Sequence, residues 1–289
     1  MLREFPRYYP NMDLQVSDQL SPEVISPGAA VSVVYHDIFD FPLTLTEMIK
    51  WESGVAFGKE VAIGIKNGFF FVDGREGIVL KRLMRKRISA RKHVIAERAA
   101  GILKIIPWVK FVGITGALAM ENADDASDVD LMIITRKGTL WQSRLLTLLL
   151  LMAVGFPTRR FGQKDQKDKL CLNMWLDEND LVWPKGDRNP YTAHEIAQIV
   201  PLVDKMKTYE RFISANSWIK RFWPNAVALG KLKKQVSKKE SPFGLFEALC
   251  YLLQIKYMRA KITREVVTPT RAIFHPHDWG SLVLSKLSS

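Results

Sequence analysis

Cysteine is scarce: the 289 residues hold two, Cys171 and Cys250, far apart in the chain. So few exclude a disulfide framework and a zinc knuckle, and they fit a reducing compartment. No apolar run is long enough for a bilayer, which takes roughly 20 residues. The greasiest stretch, Leu145 to Phe156 (LLTLLLLMAVGF), lies between Arg144 and the group Pro157, Arg159 and Arg160. It reads as a buried helix behind a sheet. The start of the chain, MLREFPRYYPNMDLQ, has no apolar signal stretch. There is no internal repeat, no low-complexity tract, and no Ser-His-Asp or Cys-His arrangement. These absences point to a cytoplasmic protein with no membrane role. Acids are also outnumbered, 30 against 42 Lys and Arg, for a net charge of +12. Such an excess favours polyanionic partners, nucleic acid or nucleotides among them. The hydrophobic fraction of 47% is enough for true cores and excludes a disordered chain.

The pattern divides into five parts. Residues 1–28 read as an extended arm punctuated by Pro6, Pro10, Pro22 and Pro27. Residues 29–80 read as three helices and a hairpin, the order of a winged helix. The first helix would bury Val31, Val34, Tyr35 and Ile38. The second starts at a capping box, Thr44 and Glu47. The third covers Glu60 to Lys66, and the hairpin joins Phe69–Val72 to Gly77–Leu80 through Asp73-Gly74. Its third helix offers few side chains for base edges, so packing on the neighbouring domain or dimerisation is an equal role for this module. Residues 81–107 read as a basic linking helix with Val94, Ala99, Ile102 and Ile105 as its buried stripe. Its charges suit a solvated face or a phosphate-contacting surface.

Residues 108–188 read as an α/β core and residues 189–289 as a helical region. In the core, Leu170 to Leu176 alternates like a strand, with Leu170, Leu172, Met174 and Leu176 on one face and Cys171, Asn173 and Trp175 on the other. Thr192 and Glu195 have capping-box spacing ahead of helices at Ala193–Val200 and Lys205–Phe222. A Lys-rich connection, Lys231 to Lys239, precedes a helix at Phe243–Lys261. His275-Pro276-His277-Asp278 reads as a proline turn with surface imidazoles, since further ligands at metal spacing are missing. His36, His194 and the aromatic group Trp218, Phe222 and Trp223 read as structural.

The most informative stretch is Phe111 to Thr135, FVGITGALAMENADDASDVDLMIIT. An apolar strand ends at Thr115-Gly116. A small-residue helix and an acidic loop follow, and a second strand opens Asp128-Val129-Asp130-Leu131. Strand positions i and i+2 share a face, so the two aspartates project together from a strand whose other face is apolar. Two carboxylates so placed suit Mg²⁺, which prefers oxygen ligands.

Gly116-Ala117, an eleven-residue step, and then Asp128-Val129-Asp130-Leu131 resemble the signature of the DNA-polymerase-β-like nucleotidyltransferase superfamily. The resemblance covers about residues 108–180. It implies a mixed α+β sheet flanked by helices and the transfer of a nucleoside monophosphate from an NTP to a hydroxyl acceptor. It further implies two Mg²⁺ ions, with Asp128 and Asp130 as catalytic and metal-binding residues. Thr115, Gly116, Ala117 and Ser127 would then meet the nucleotide. Ala117 stands where many relatives carry Ser. The third carboxylate position falls on Asn173, which lacks charge; Asp177 shares its parity but lies further along the strand, and Asp124 and Asp125 add charge from the loop. Lys169 and Arg136 are candidate phosphate contacts. The alternative is a catalytically degenerate nucleotide- or nucleic-acid-binding regulatory protein.

Overall fold

The computed structural model describes residues 25–56, 61–159, 162–163, 165–230, 244–259, 265–274 and 279–288. Most of the N-terminal arm, the Lys-rich connection and the His275–Asp278 turn lie outside them.

Helix α1 (Pro27–Asp37) starts where the Ser26 side chain accepts from the Ala29 N–H, with proline in its first turn. Its buried side includes Ser32, Val33, Tyr35 and His36, so the expected stripe of Val31, Val34 and Ile38 is only half-buried. Strand β1 (Leu43–Thr44) leads into α2 (Leu45–Lys50), which opens at the expected Thr44–Glu47 capping box. The hairpin differs from its prediction. Strands β2 (Ile63–Lys66) and β3 (Phe69–Val72) pair antiparallel, so Ile63–Lys66 is a strand and not the end of a third helix. The turn is Asn67-Gly68, both left-handed with φ 53° and 73°. Asp73-Gly74 carries the same turn signal, but the chain beyond it enters a helix and has no strand to pair back on β3. Strand β1 completes a three-stranded sheet, β1-β3-β2.

Gly77–Leu80, expected as a strand, opens the long helix α3 (Gly77–Leu103). Its 27 residues span about 40 Å. The buried stripe runs through Ser89, Lys92, Ala96, Ala99, Ala100 and Leu103, while Val94 and Ile105 are exposed. The apolar pattern misled here because two of the inward positions are polar and hydrogen-bonded.

The main sheet contains β4 (Val109–Ile114), β5 (Val129–Thr135), β6 (Leu170–Asp177), β7 (Val200–Asp204), β8 (Val266–Val267) and β9 (Arg271–Ile273). Their order is β7-β4-β5-β6-β9-β8. Among the described strands only β5 and β6 pair parallel, joined through α5 (Leu140–Ala153). The sheet is therefore mixed, as expected. Alternation splits β5 cleanly. Val129, Leu131 and Ile133 join Ala96–Leu103 of α3, Trp141 of α5 and Cys250 of α8 (Leu245–Met258) in one core. Met132 and Ile134 join Tyr35, Trp51, Ile196 and Trp223 in the other.

The region after residue 189 is not purely helical. Val200–Asp204 becomes an edge strand, where Pro201 is tolerated. Arg271–Ile273 extends the sheet beyond β6, and Val266–Val267 forms the opposite edge. Helix α6 (Pro190–Ala197) begins at an Asn189–Thr192 capping box, three residues earlier than expected, and this releases Glu195 from capping. Helix α7 (Thr208–Ala215) and a 3₁₀ turn, Ser217–Arg221, replace the predicted Lys205–Phe222 helix. Helix α9 (Trp279–Ser288) sets Val283 and Leu287 into the core shared with α6.

The α5 leucine run is less buried than expected. Ser143, Thr147 and Leu151 face inward, whereas Leu149 and Met152 are exposed. Its partner α8 also turns polar groups inward. The Glu247 carboxylate accepts from the N–H groups of Trp141 and Gln142 at 2.7 and 2.8 Å and so caps α5. Among the described residues no helix is long and apolar enough to cross a membrane.

Candidate active site

The site is built where β4 hands over to β5. Strand β4 ends at Ile114, and the chain turns through Thr115 into the short helix α4 (Gly116–Ala119). Gly116 is left-handed, φ +62°, and a Cβ on it would stand 2.8 Å from Asp130 Oδ2. Glycine is required there by both conformation and space. The Thr115 N–H donates to the Asp130 carbonyl at 3.1 Å, which clasps the turn to β5. Gly116→Ala should therefore displace the Asp130 carboxylate and lower stability by about 2 kcal/mol. Urea unfolding and a Mn²⁺ titration check the two effects separately.

Asp128 and Asp130 flank buried Val129 and line a cavity of about 460 Å³ together with Thr115, Gly116, Ala117 and Asn173. Six of the seven residues read from the sequence as catalytic, metal-binding or nucleotide-binding thus meet in one place. Ser127 does not line it: its hydroxyl donates to the Asp124 carbonyl and its N–H to Asp124 Oδ1, both at 2.8 Å, closing the acidic loop. That loop is braced by the basic helix. Arg91 and Lys167 bridge Asp125, and the buried Lys92 ammonium donates to the Ser127 carbonyl at 2.7 Å and Asp168 Oδ1 at 2.6 Å. Farther along α3, Arg82 bonds Pro42 and Glu47, and Arg85 bonds Phe39 and Asn122. Much of the expected phosphate surface is thus spent on internal contacts. Lys169 pairs with Asp165. Asp177 holds the N–H groups of Gly138 and Asn179, away from the cavity lining.

A bulge in β6 sets the third position. Asp130 pairs with Cys171 and Met132 with Met174, so Leu172 and Asn173 both oppose Leu131. The extra residue reverses the alternation. Met174 and Leu176 fall in the cavity-side core and Leu170 and Trp175 in the other, which corrects the strict two-face reading of this strand. Asn173 Nδ2 donates to Asp130 Oδ1 at 2.7 Å. Its Oδ1 is buried and has no hydrogen-bond partner among the described residues.

Four neighbours escaped the sequence reading as site residues: Arg159, Cys171, Glu195 and Gln198. Arg159 Nη1 donates to Asp128 Oδ2 at 2.8 Å and lies 3.6 Å from Cys171 Sγ. Gln198 Nε2 donates to Glu195 Oε1 at 2.7 Å and to the Gly116 carbonyl at 3.3 Å, tying α6 to the glycine turn. Cys171 was recoverable, since it shares parity with Asn173. Glu195 was hidden by its capping-box spacing.

The electrostatics mark this cluster as acid-rich and poorly hydrated. Burial, and after it the Asp128 charge, pushes Asp130 up to about 7. Burial and then Asp130 push Glu195 up to about 7. The Cys171 thiol is raised by burial and then by the two aspartates. Perturbed carboxyls converging in a cleft are a functional signature.

The far wall comes from the N-terminal module, with His36, Phe39 and Phe41. His36 Nε2 lies 3.0 Å from His194 Nε2, and His36 Nδ1 lies 2.8 Å from the Ser32 carbonyl. A carbonyl only accepts, so His36 Nδ1 carries the proton and His194 Nε2–H donates to His36. Trp51 stacks on His194 at 4.0 Å between centroids. Burial depresses both imidazoles, His36 to about 4. Trp223 is fully buried, with Nε1 donating to Pro190, in keeping with a structural role.

No protein family, curated protein or solved structure matches this chain.

The site's own chemistry tests whether it suits a divalent cation. Asp128 and Asp130 offer carboxylate oxygens, Asn173 offers an orphaned carbonyl, and the Arg159 guanidinium already holds positive charge against Asp128. Such a donor set fits a divalent ion.

Proposed function

We propose that this chain is a metal-dependent nucleotidyltransferase that moves a nucleoside monophosphate from an NTP to a hydroxyl acceptor. One observation carries the reading: the carboxylates of Asp128 and Asp130, at the start of β5, line one cavity of about 460 Å³ with the Thr115-Gly116-Ala117 turn. That volume falls in the range of small-molecule sites. Asp128 and Asp130 would hold Mg²⁺ or a similar ion, two such ions on the superfamily resemblance. The metal would supply charge neutralisation at the phosphates. Gly116 and Ala117 open α4, and the first N–H groups of a helix lack acceptors within it. Phosphate oxygens suit those donors. Arg159, only one loop away, would exchange Asp128 for the triphosphate. Phe39, Phe41 and Met120 form an apolar wall suited to a base.

Glu195 is the proposed proton acceptor for the attacking hydroxyl. Its carboxyl titrates near neutrality, where a general base works best. Gln198 orients it. Asn173 positions Asp130 and brings no charge, so Glu195 takes over the part of the missing third carboxylate from a helix and not from the sheet.

A second reading follows from Arg159. A guanidinium seated on Asp128 and against Cys171 occupies the place of a cation, as expected of a nucleotide sensor without turnover. In either reading the N-terminal module contributes two helices and the β1-β3-β2 sheet, and the third helix of the expected winged-helix order is replaced by β2.

Incubation with α-labelled NTPs, Mg²⁺ or Mn²⁺ and candidate hydroxyl acceptors decides between them. Label transfer is expected, and Asp128→Asn should reduce it roughly 10³-fold or more. Nucleotide binding without any transfer in the parent chain would favour the sensor.

A further inference from the structure

We propose that Cys171 joins Asp128 and Asp130 in a three-ligand site that takes a borderline divalent ion of the zinc and cobalt class in preference to magnesium. The inference rests on the reading of the two aspartates as a cation site. It adds the identity of the ion.

Sheet register brings the sulfur there. Cys171 is the direct partner of Asp130 in the parallel β5–β6 ladder, ahead of the bulge. One ligand atom from each of Asp128, Asp130 and Cys171 lies within 4.8 Å of the others. An ion bound at roughly 2.1 Å from oxygen and 2.3 Å from sulfur wants its ligands about 3.5 Å apart. Small side-chain rotations close that gap. The second observation is the Asn173 amide. Asn173 is 6% exposed, its Nδ2 bonds Asp130, and its Oδ1 is buried with no partner among the described residues. A buried carbonyl left unpaired costs about 1–3 kcal/mol, so a cation drawn to this cluster would relieve it.

Ligand chemistry then selects the ion. Magnesium takes hard oxygen donors in near-octahedral geometry and seldom accepts sulfur. Thiolate favours zinc and its neighbours. Three protein ligands with an open position match a catalytic zinc arrangement, leaving room for a phosphate oxygen. Binding releases the Cys171 thiol proton to solvent as the sulfur–metal bond forms. Arg159 has to leave Asp128 and the sulfur at the same time. Its side chain is 34% exposed, which gives it room to do so.

Cobalt is the probe, because a thiolate–Co²⁺ bond gives a near-ultraviolet charge-transfer band. Titration of the full chain with Co²⁺ should produce this band, and excess Zn²⁺ but not excess Mg²⁺ should remove it. Cys171→Ser should abolish the band and weaken Co²⁺ binding roughly 100-fold. Cys250→Ser should keep the band. Cys171→Ala, paired with a thermal melt, guards against a serine variant that merely fails to fold. Co²⁺ binding without the band overturns the sulfur ligand and leaves the aspartate pair standing. A band that survives in Cys171→Ser overturns it too. If Co²⁺, Zn²⁺ and Mg²⁺ all fail to bind, both the ion assignment and the cation reading are lost.

Discussion

At pH 8 without metal, Asp130→Asn is expected to unfold at a higher temperature than the parent chain while losing metal-dependent nucleotidyl transfer. Asp130 is held up to about 7 by burial and by Asp128. The folded chain therefore keeps a proton that the unfolded chain has released. This contribution to stability is present at low pH. It is lost as pH rises from the ordinary carboxylate range through about 7. At pH 8 the ionised carboxylate opposes folding. One pKa unit corresponds to about 1.4 kcal/mol, so an effect on the order of 3 kcal/mol is expected. For a chain of this size that is roughly 5 °C or more. Asparagine keeps the shape and still accepts from Asn173. Differential scanning calorimetry at pH 8 and pH 4.5 reads the outcome. The variant should gain only at the higher pH. A lower melting temperature at pH 8 would mean that Arg159 already stabilises the ionised site.

The second large effect concerns the buried histidines. His36 and His194 are neutral in the folded protein, with His36 depressed to about 4 by burial and His194 shifted the same way. The unfolded chain takes up these protons near pH 6.5. Stability from this pair is complete above pH 6.5 and declines as pH falls towards 4. Protonation of His36 also destroys the bond between the two Nε2 atoms, because the His36 Nε2 acceptor then becomes a second donor. His36 alone corresponds to about 3 kcal/mol between pH 7 and pH 4. Asp130 and Glu195 act in the opposite direction over much of that window, so the parent profile is a difference of two slopes. Combining Asp130→Asn with Glu195→Gln removes one slope. Urea titrations of this variant at stepped pH should show the histidine loss undiluted. Adding His36→Gln and His194→Gln should flatten the profile by at least about 3 kcal/mol. An unchanged profile would mean that both imidazoles already carry protons near neutrality or reach solvent.

The aspartate strand was legible because its signal is local. Alternation in VDLMIIT and a glycine before a small-residue helix fix which side each carboxylate takes. The first capping box was legible for the same reason. What failed was non-local. Glu195 matched a capping pattern that Asn189 and Thr192 satisfied first. Val200–Asp204 and Arg271–Ile273 become strands only because β4 and β6 offer open edges. The buried stripe of α3 contains Ser89 and Lys92, whose partners lie in the acidic loop. Arg159 sat in plain view in a basic loop, but nothing nearby in sequence aims it at Asp128.

Helix α3 shows why the N-terminal piece is no detachable appendage. Its first turns pack Ile78 and Val79 against Phe71, and Arg82 holds Pro42 and Glu47. Its last turns lie in the sheet's own core, and Lys92 between them fixes the loop that delivers the aspartates. The helix works as a common axle. The sequence-defined modules are therefore expected to melt in a single transition, and calorimetry of the full chain checks this.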